Sequence, residues 1–161
     1  CAVCHHKDIE KDCTFCHQLQ KTIYEGGQLN GHNIPKDIMY DAEVECTGCH
    51  LNPRNQIYRS DKNKCIDCHE EEYGDIFSEW QNSIIDLLRS LKSSLAEKKK
   101  LSFSKEEQAQ LLEIEKTIKN IELDGSSGIH NYLTVEEMLT NFLKTIESFA
   151  ENTPNEQKKI H

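Results

Sequence analysis

The sequence has few of the features that build membrane spans, nucleic-acid sites and large apolar cores. Its 161 residues contain no apolar run of transmembrane length. Acidic residues outnumber basic ones by 28 to 19, which gives a formal net charge of −9 and argues against nucleic acid as a partner, since its phosphates require a basic surface. Only 36% of the residues are hydrophobic and 7% aromatic, so we expect a modest apolar core.

Cysteine, in contrast, is frequent and regularly placed. All eight cysteines fall within four C-x-x-C-H motifs, and none is left for a disulfide or a catalytic nucleophile. C-x-x-C-H is the motif for covalent attachment of heme c, because the two cysteines form thioethers to the heme and the histidine binds its iron. The motifs are Cys1-Ala-Val-Cys4-His5, Cys13-Thr-Phe-Cys16-His17, Cys46-Thr-Gly-Cys49-His50 and Cys65-Ile-Asp-Cys68-His69.

A pair of zinc sites is the alternative interpretation, since zinc also binds C-x-x-C pairs. Zinc does not require a histidine directly after every second cysteine, and here all four positions have one. We therefore expect four covalently bound heme c groups, numbered by motif. The eight cysteines would attach them, and His5, His17, His50 and His69 would be the proximal iron ligands.

The remaining histidines equal in number the four distal axial positions, which suits bis-histidine ligation throughout; they are His6, His32, His130 and His161. His32 lies between Gly31 and Pro35, whose turns could aim its imidazole at an iron. A solvated loop histidine is the alternative. Met39 is a possible substitute ligand there, and its thioether would raise the heme potential.

Two stretches resemble known multiheme proteins. The run Cys1 to His6 is similar to the C-x-x-C-H-H of small multiheme cytochromes of the class III kind, which implies that His6 is the distal ligand of heme two. Gly128-Ile-His130-Asn131 is similar to the G-x-H-N stretch of larger multiheme reductases, where the histidine ligates heme. That resemblance implies His130 as a ligand of heme three or four.

After His69 the apolar spacing becomes that of amphipathic helices. We expect a helix from about Asp75 to Lys98, and a second from the capping box Ser104–Glu107 to a stop at Asp124-Gly125. A third would begin at a capping box Thr134–Glu137. Residues 18–45, rich in glycine, should be loop with at most short helices.

The predicted fold is therefore mostly α, with two regions. Residues 1–73 would form a heme-packed, loop-rich half, and residues 74–161 an antiparallel helical hairpin plus a third helix. The hairpin should return the chain beside residues 71–75, bringing His130 to the hemes. The tail from Asn152 looks extended, so His161 could ligate a heme of its own chain, ligate one of a neighbouring chain, or stay disordered.

These observations favour an electron-transfer cytochrome, because hemes with both axial positions filled pass electrons but bind no substrate. A multiheme reductase of nitrite, hydroxylamine or sulfur oxyanions, with one open iron, is the alternative; a non-catalytic module docking on such an enzyme is a weaker one. We expect charge-patterned redox partner proteins, with self-association into a larger assembly or filament left open. The resemblance to c-type cytochromes implies that heme is attached outside the cytoplasm, so we expect a periplasmic or extracellular location and a removed targeting segment.

Overall fold

A computed structural model describes residues 13–51, 54 and 56–149, which are mostly helical. None of the helices in these ranges is long and apolar enough to cross a membrane. In chain order the elements are α1 Cys13–Cys16, α2 Gln18–Tyr24, β1 Gly27–Leu29, β2 His32–Ile34, α3 Ile38–Asp41, α4 Cys46–His50, α5 Lys62–Ile66, α6 Glu72–Lys98, α7 Lys105–Asp124, a 3-10 turn Ile129–Asn131 and α8 Tyr132–Ser148.

The three long helices form the bundle that the apolar spacing predicts. Ion pairs Lys92–Glu122 and Lys99–Glu115 join α6 to α7 in antiparallel order. Helix α8 runs parallel to α6, because Ser83 bonds Glu136 near one end and Lys98 bonds the Phe149 carbonyl at the other. The buried stripes of the three helices make the core: Ile84, Leu88, Leu91, Leu95, Leu111, Ile114, Ile118, Ile121, Val135, Leu139, Phe142 and Ile146.

The predicted boundaries of the second helix are confirmed, and that of the third is wrong. Ser104 and Glu107 make the reciprocal capping box, and Gly125 ends α7 in the left-handed conformation with φ 77°. Helix α8 begins at Tyr132 with Asn131 at its N-cap, so Thr134 lies inside the helix and caps nothing. The 3-10 turn before it already starts the helical path.

Residues 18–45 contain more regular structure than predicted. Besides α2 and the short helix α3, a two-stranded antiparallel hairpin pairs Leu29 with His32 across a turn at Asn30-Gly31. Both turn residues have positive φ, 49° and 89°, as Asn-Gly hairpin turns require. Its apolar residues Leu29 and Ile34, together with Ile23 of α2, are buried against the bundle, so tertiary packing outweighs the glycine content.

The helical hairpin of α6 and α7 brings the chain back beside Gln81 and Ile84 of α6, further along this helix than the predicted residues 71–75. The Gln81 side chain donates to the Ser126 carbonyl at 3.1 Å, and Gly128 packs on Ile84. Helix α6 has 27 residues and α7 only 20, so at 1.5 Å per residue the return falls roughly 10 Å short of the start of α6. Arg59 donates to the Gly125 carbonyl at 2.7 Å and so ties this return loop to the segment between motifs three and four.

Gly128 in the return loop should tolerate no side chain. A Cβ there would lie 2.6 Å from Ile84 Cγ1, and the residue has φ 88°. We expect Gly128→Ala to lower the free energy of unfolding by about 2–4 kcal/mol, from left-handed strain and overpacking together. Gly125→Ala is the matched control, because it shares the positive φ but has no atom nearer than 4.0 Å. It should cost about 1 kcal/mol in urea unfolding; equal losses would contradict the steric argument.

Candidate functional site

The described C-x-x-C-H motifs form short helices or continue from the end of one. The whole third motif lies in α4. In the second and fourth, the histidine N–H donates to the carbonyl of the first cysteine, His17 to Cys13 at 3.0 Å and His69 to Cys65 at 2.9 Å. Residues i, i+3 and i+4 of a helical turn share one side, so each motif can present two sulfurs and an imidazole to one group. Cys1, Cys4, His5, His6 and His161 lie outside the described residues.

The three described motifs are neighbours in space. Burial raises the pKa of the Cys46 thiol, and the adjacent Cys13 thiol of the second motif raises it further. Burial likewise raises the pKa of the Cys49 thiol, with a smaller contribution from Cys65 of the fourth motif. The third motif therefore lies between the second and the fourth.

This half of the chain has almost no apolar core of its own. Among the described residues between Ile34 and Ile84, no hydrophobic side chain is buried. Instead Phe15 and Ile66, which belong to the second and fourth motifs, are 71% and 37% exposed, and Ile38 and Ile57 are 71% and 65% exposed. Exposed apolar side chains next to cysteine motifs fit a large flat apolar group such as a porphyrin, whose faces would cover them.

His130 of the return loop lies beside His50 of the third motif, with ring centroids 5.9 Å apart. Two imidazoles that bind one metal from opposite sides, at metal–nitrogen distances near 2 Å, have centroids roughly 6 Å apart. The sequence predicted His130 near heme three or four, and it lies at the third motif. His50 and His130 are the proximal and distal candidates that the fold brings together.

The hydrogen bonds of both rings leave the same nitrogen for a metal. His50 Nδ1 lies 3.1 Å from the Tyr58 carbonyl, whose residue also donates its own N–H to the His50 carbonyl. His130 Nδ1 lies 2.6 Å from Asp124 Oδ1. Metal-binding histidines characteristically donate their second ring nitrogen to a carbonyl or carboxylate in this way. Each ring is therefore oriented to bind through Nε2.

His32 has a different environment. It lies in β2, with Nε2 2.9 Å from Glu113 of α7 and its ring edge-on to Phe142 of α8, centroids 5.1 Å apart. Despite the short distance to Glu113, the buried Nε2 atom makes no hydrogen bond among the described residues. Its described contacts are thus with the bundle. The distal-ligand assignment stays a prediction that these contacts do not support.

The other two described proximal histidines differ in their surroundings. His69 stacks on Tyr73 of α6, with centroids 4.4 Å apart and ring planes within 19°. His17 is exposed at the N-terminus of α2. The side chain of Met39, the alternative ligand near His32, lies on α3, which leads to the third motif.

Two functional neighbours of His130 were not recognised in the sequence. Asp124 was interpreted only as part of the helix stop, and Asn131 only as part of a resemblance. The Asn131 side chain is 2% exposed and donates to the carbonyls of Ile23 at 2.9 Å and Pro35 at 2.8 Å. The sequence does place a carboxylate six residues before His130, across a glycine-rich loop. That spacing does not predict a fixed distance between the two side chains, so it could not identify their contact.

Comparisons with protein-family models, with curated proteins and with solved structures found no match to this chain.

Proposed function

We propose that this chain is a tetraheme c-type cytochrome that transfers electrons through closely spaced, bis-histidine hemes. The observation that carries the proposal is the pairing of His50 with His130, two imidazoles 5.9 Å apart with both Nδ1 atoms engaged. The four C-x-x-C-H motifs and the exposed apolar residues around them support the same cofactor. Heme iron supplies a one-electron couple that needs no substrate binding.

The chain's own residues would then order the electron path. Cys46 lies close enough to Cys13, and Cys49 to Cys65, for each pair to interact electrostatically, so hemes two, three and four would follow one another with heme three in the middle. Heme one would adjoin heme two, because only residues 5–12 separate Cys4 from Cys13. Hemes held by a histidine on each side would supply electron transfer and would bind no small ligand at iron.

The proposed setting is extracytoplasmic, as heme c attachment implies, with redox proteins as partners. The excess of acidic residues, 28 against 19 basic ones, favours partners with basic or charge-patterned surfaces, reached by electrostatic steering. Self-association, with His161 supplied to a neighbouring chain's heme, belongs to the same proposal.

Heme content and spin state test this function directly. Pyridine hemochrome and intact mass of the natively produced protein should give four hemes per chain, one for each motif. Electron paramagnetic resonance of the oxidised protein should show low-spin iron throughout. Two or fewer hemes would contradict the cytochrome assignment.

One observation favours the second candidate, a reductase with an open heme site. His32 contacts Glu113 and Phe142 of the bundle, which leaves fewer histidines for four distal positions. An iron without a protein distal ligand could bind nitrite or a related oxyanion. A stoichiometric high-spin iron that binds nitrite or carbon monoxide in the wild-type protein would favour this reductase; its absence would exclude it.

A further inference from the structure

We propose that Asp124 is a positioning residue that fixes the His130 imidazole and lowers the reduction potential of heme three. The inference rests on the proposed function, since it concerns a heme bound between His50 and His130. It assigns a role to a residue that touches neither heme iron nor the attachment cysteines, and it distinguishes one heme from the other three.

The Asp124 carboxylate is held rigidly in the return loop. Its side chain is 2% exposed, and Oδ1 lies 2.6 Å from His130 Nδ1. Its other oxygen, Oδ2, accepts from the Ser126 N–H at 3.3 Å and from the Ser126 hydroxyl. The Ser126 hydroxyl oxygen in turn accepts from the His130 N–H at 3.2 Å. Both ends of the histidine, its backbone and its ring, are thus tied to one carboxylate–hydroxyl pair.

An ionised carboxylate only accepts hydrogen bonds, so in this proposal His130 Nδ1 donates to Asp124 and Nε2 presents its lone pair to iron. Within the part of the chain that the structure describes, no lysine or arginine pairs with the Asp124 carboxylate. The nearby Arg59 guanidinium bonds the Gly125 carbonyl instead, so the carboxylate makes its bond to the His130 ring without a direct cation partner.

The two axial candidates of heme three differ in the charge of their acceptors. His50 faces the neutral Tyr58 carbonyl, whereas His130 faces an anionic carboxylate. A charged acceptor makes the stronger hydrogen bond and makes the imidazole more basic. A more basic ligand donates more electron density to iron and stabilises Fe(III) over Fe(II). Reduction adds one electron to the iron and leaves the Nδ1 proton in place, so the potential of this heme falls.

The test is Asp124→Asn in the four-heme protein, followed by a redox titration. The amide can still accept from Nδ1 but has no charge, so we expect one heme of four to become easier to reduce. Its reduction equilibrium should change roughly tenfold, which is about 59 mV for one electron. The other three potentials should stay where they are in the wild type. The signals of that heme in electron paramagnetic resonance should also shift while remaining low-spin.

Glu136→Gln is the matched control. Glu136 also accepts hydrogen bonds in a partly buried setting, from Tyr132 and Ser83, but it touches no candidate ligand. Loss of the same charge there should leave all four potentials unchanged. An Asp124→Asn protein with four hemes and four wild-type potentials would overturn the role of Asp124 while leaving the cytochrome function intact. Absence of hemes in the wild type would remove the cytochrome function itself.

A measurement on the wild type decides the matter if Asp124→Asn does not assemble. Nitrogen-15 NMR of histidine-labelled, fully reduced protein reports the proton on His130 Nδ1. We expect a protonated Nδ1 whose proton exchanges slowly with solvent, because a buried carboxylate accepts it. An unprotonated or rapidly exchanging Nδ1 would overturn the inference.

Discussion

Replacing His130 with alanine should convert one of the four hemes from low-spin to high-spin and leave the other three unchanged. The reason is that His130 is the imidazole that the fold brings to His50, 5.9 Å away, and its removal leaves heme three with one protein ligand. The five-coordinate iron should bind carbon monoxide at one equivalent per chain, a change from none to a quarter of the hemes. Added imidazole should restore the low-spin spectrum, since it fills the vacated position.

His32→Ala is the matched control for the His130 replacement. Both are histidines outside the C-x-x-C-H motifs, but His32 contacts Glu113 and Phe142 instead of a motif histidine. His32 shows no contact with a described motif histidine, so we expect the spin states and the carbon monoxide binding of this variant to equal those of the wild type. Low-spin hemes throughout the His130→Ala protein would contradict the pairing, and a high-spin heme in His32→Ala would establish His32 as a ligand. Circular dichroism should confirm that the bundle is retained in both.

The sequence predicted the parts of this fold whose physics is local or periodic. The stripe Ile84, Leu88, Leu91 and Leu95 places one side of α6 in the core, and the structure buries all four. The capping box at Ser104 and the left-handed Gly125 are set by a few adjacent residues, so their positions could be predicted to within a residue.

The errors lie where contacts distant in sequence decide the structure. The 18–45 segment is rich in glycine, but Ile23 and Leu29 find the bundle and order the region into a helix and a hairpin. Thr134 has the right residue type for a cap, and the helix starts before it because the 3-10 turn at Ile129 leads into α8. The position along α6 at which the chain returns with His130 depends on the difference in length between α6 and α7. An error of three residues in one helix boundary is enough to change that position.

Replacement of Asn131 should cause the largest loss of stability among single replacements near the site, and Asn131→Leu tests its hydrogen bonds. The Asn131 amide is buried and donates to the carbonyls of Ile23 in α2 and of Pro35 after β2. Leucine is similar in size but donates nothing, so the buried carbonyl of Ile23 and the partly buried carbonyl of Pro35 lose this donor. Loss of the donor to a buried carbonyl costs about 1–3 kcal/mol and the partly buried carbonyl adds less, so we expect a loss of roughly 2–5 kcal/mol of unfolding free energy. Urea unfolding of the heme-loaded protein, followed by circular dichroism, measures the loss.

Asn131→Asp separates hydrogen bonding from packing at this position, because it preserves the shape and reverses the chemistry. An ionised carboxylate accepts but cannot donate, so it would face two carbonyl oxygens, and the loss should be at least as large as for leucine. Asn33, an exposed asparagine of β2, is the matched control: Asn33→Asp should change the free energy of unfolding by no more than about 0.5 kcal/mol. Equal effects at both positions would contradict the assigned role. A large effect at Asn131 alone would mean that one amide joins α2 and the residue after β2 to the loop that carries His130. The placement of His130, the proposed distal ligand, and the stability of the fold would then depend on adjacent residues of the same turn.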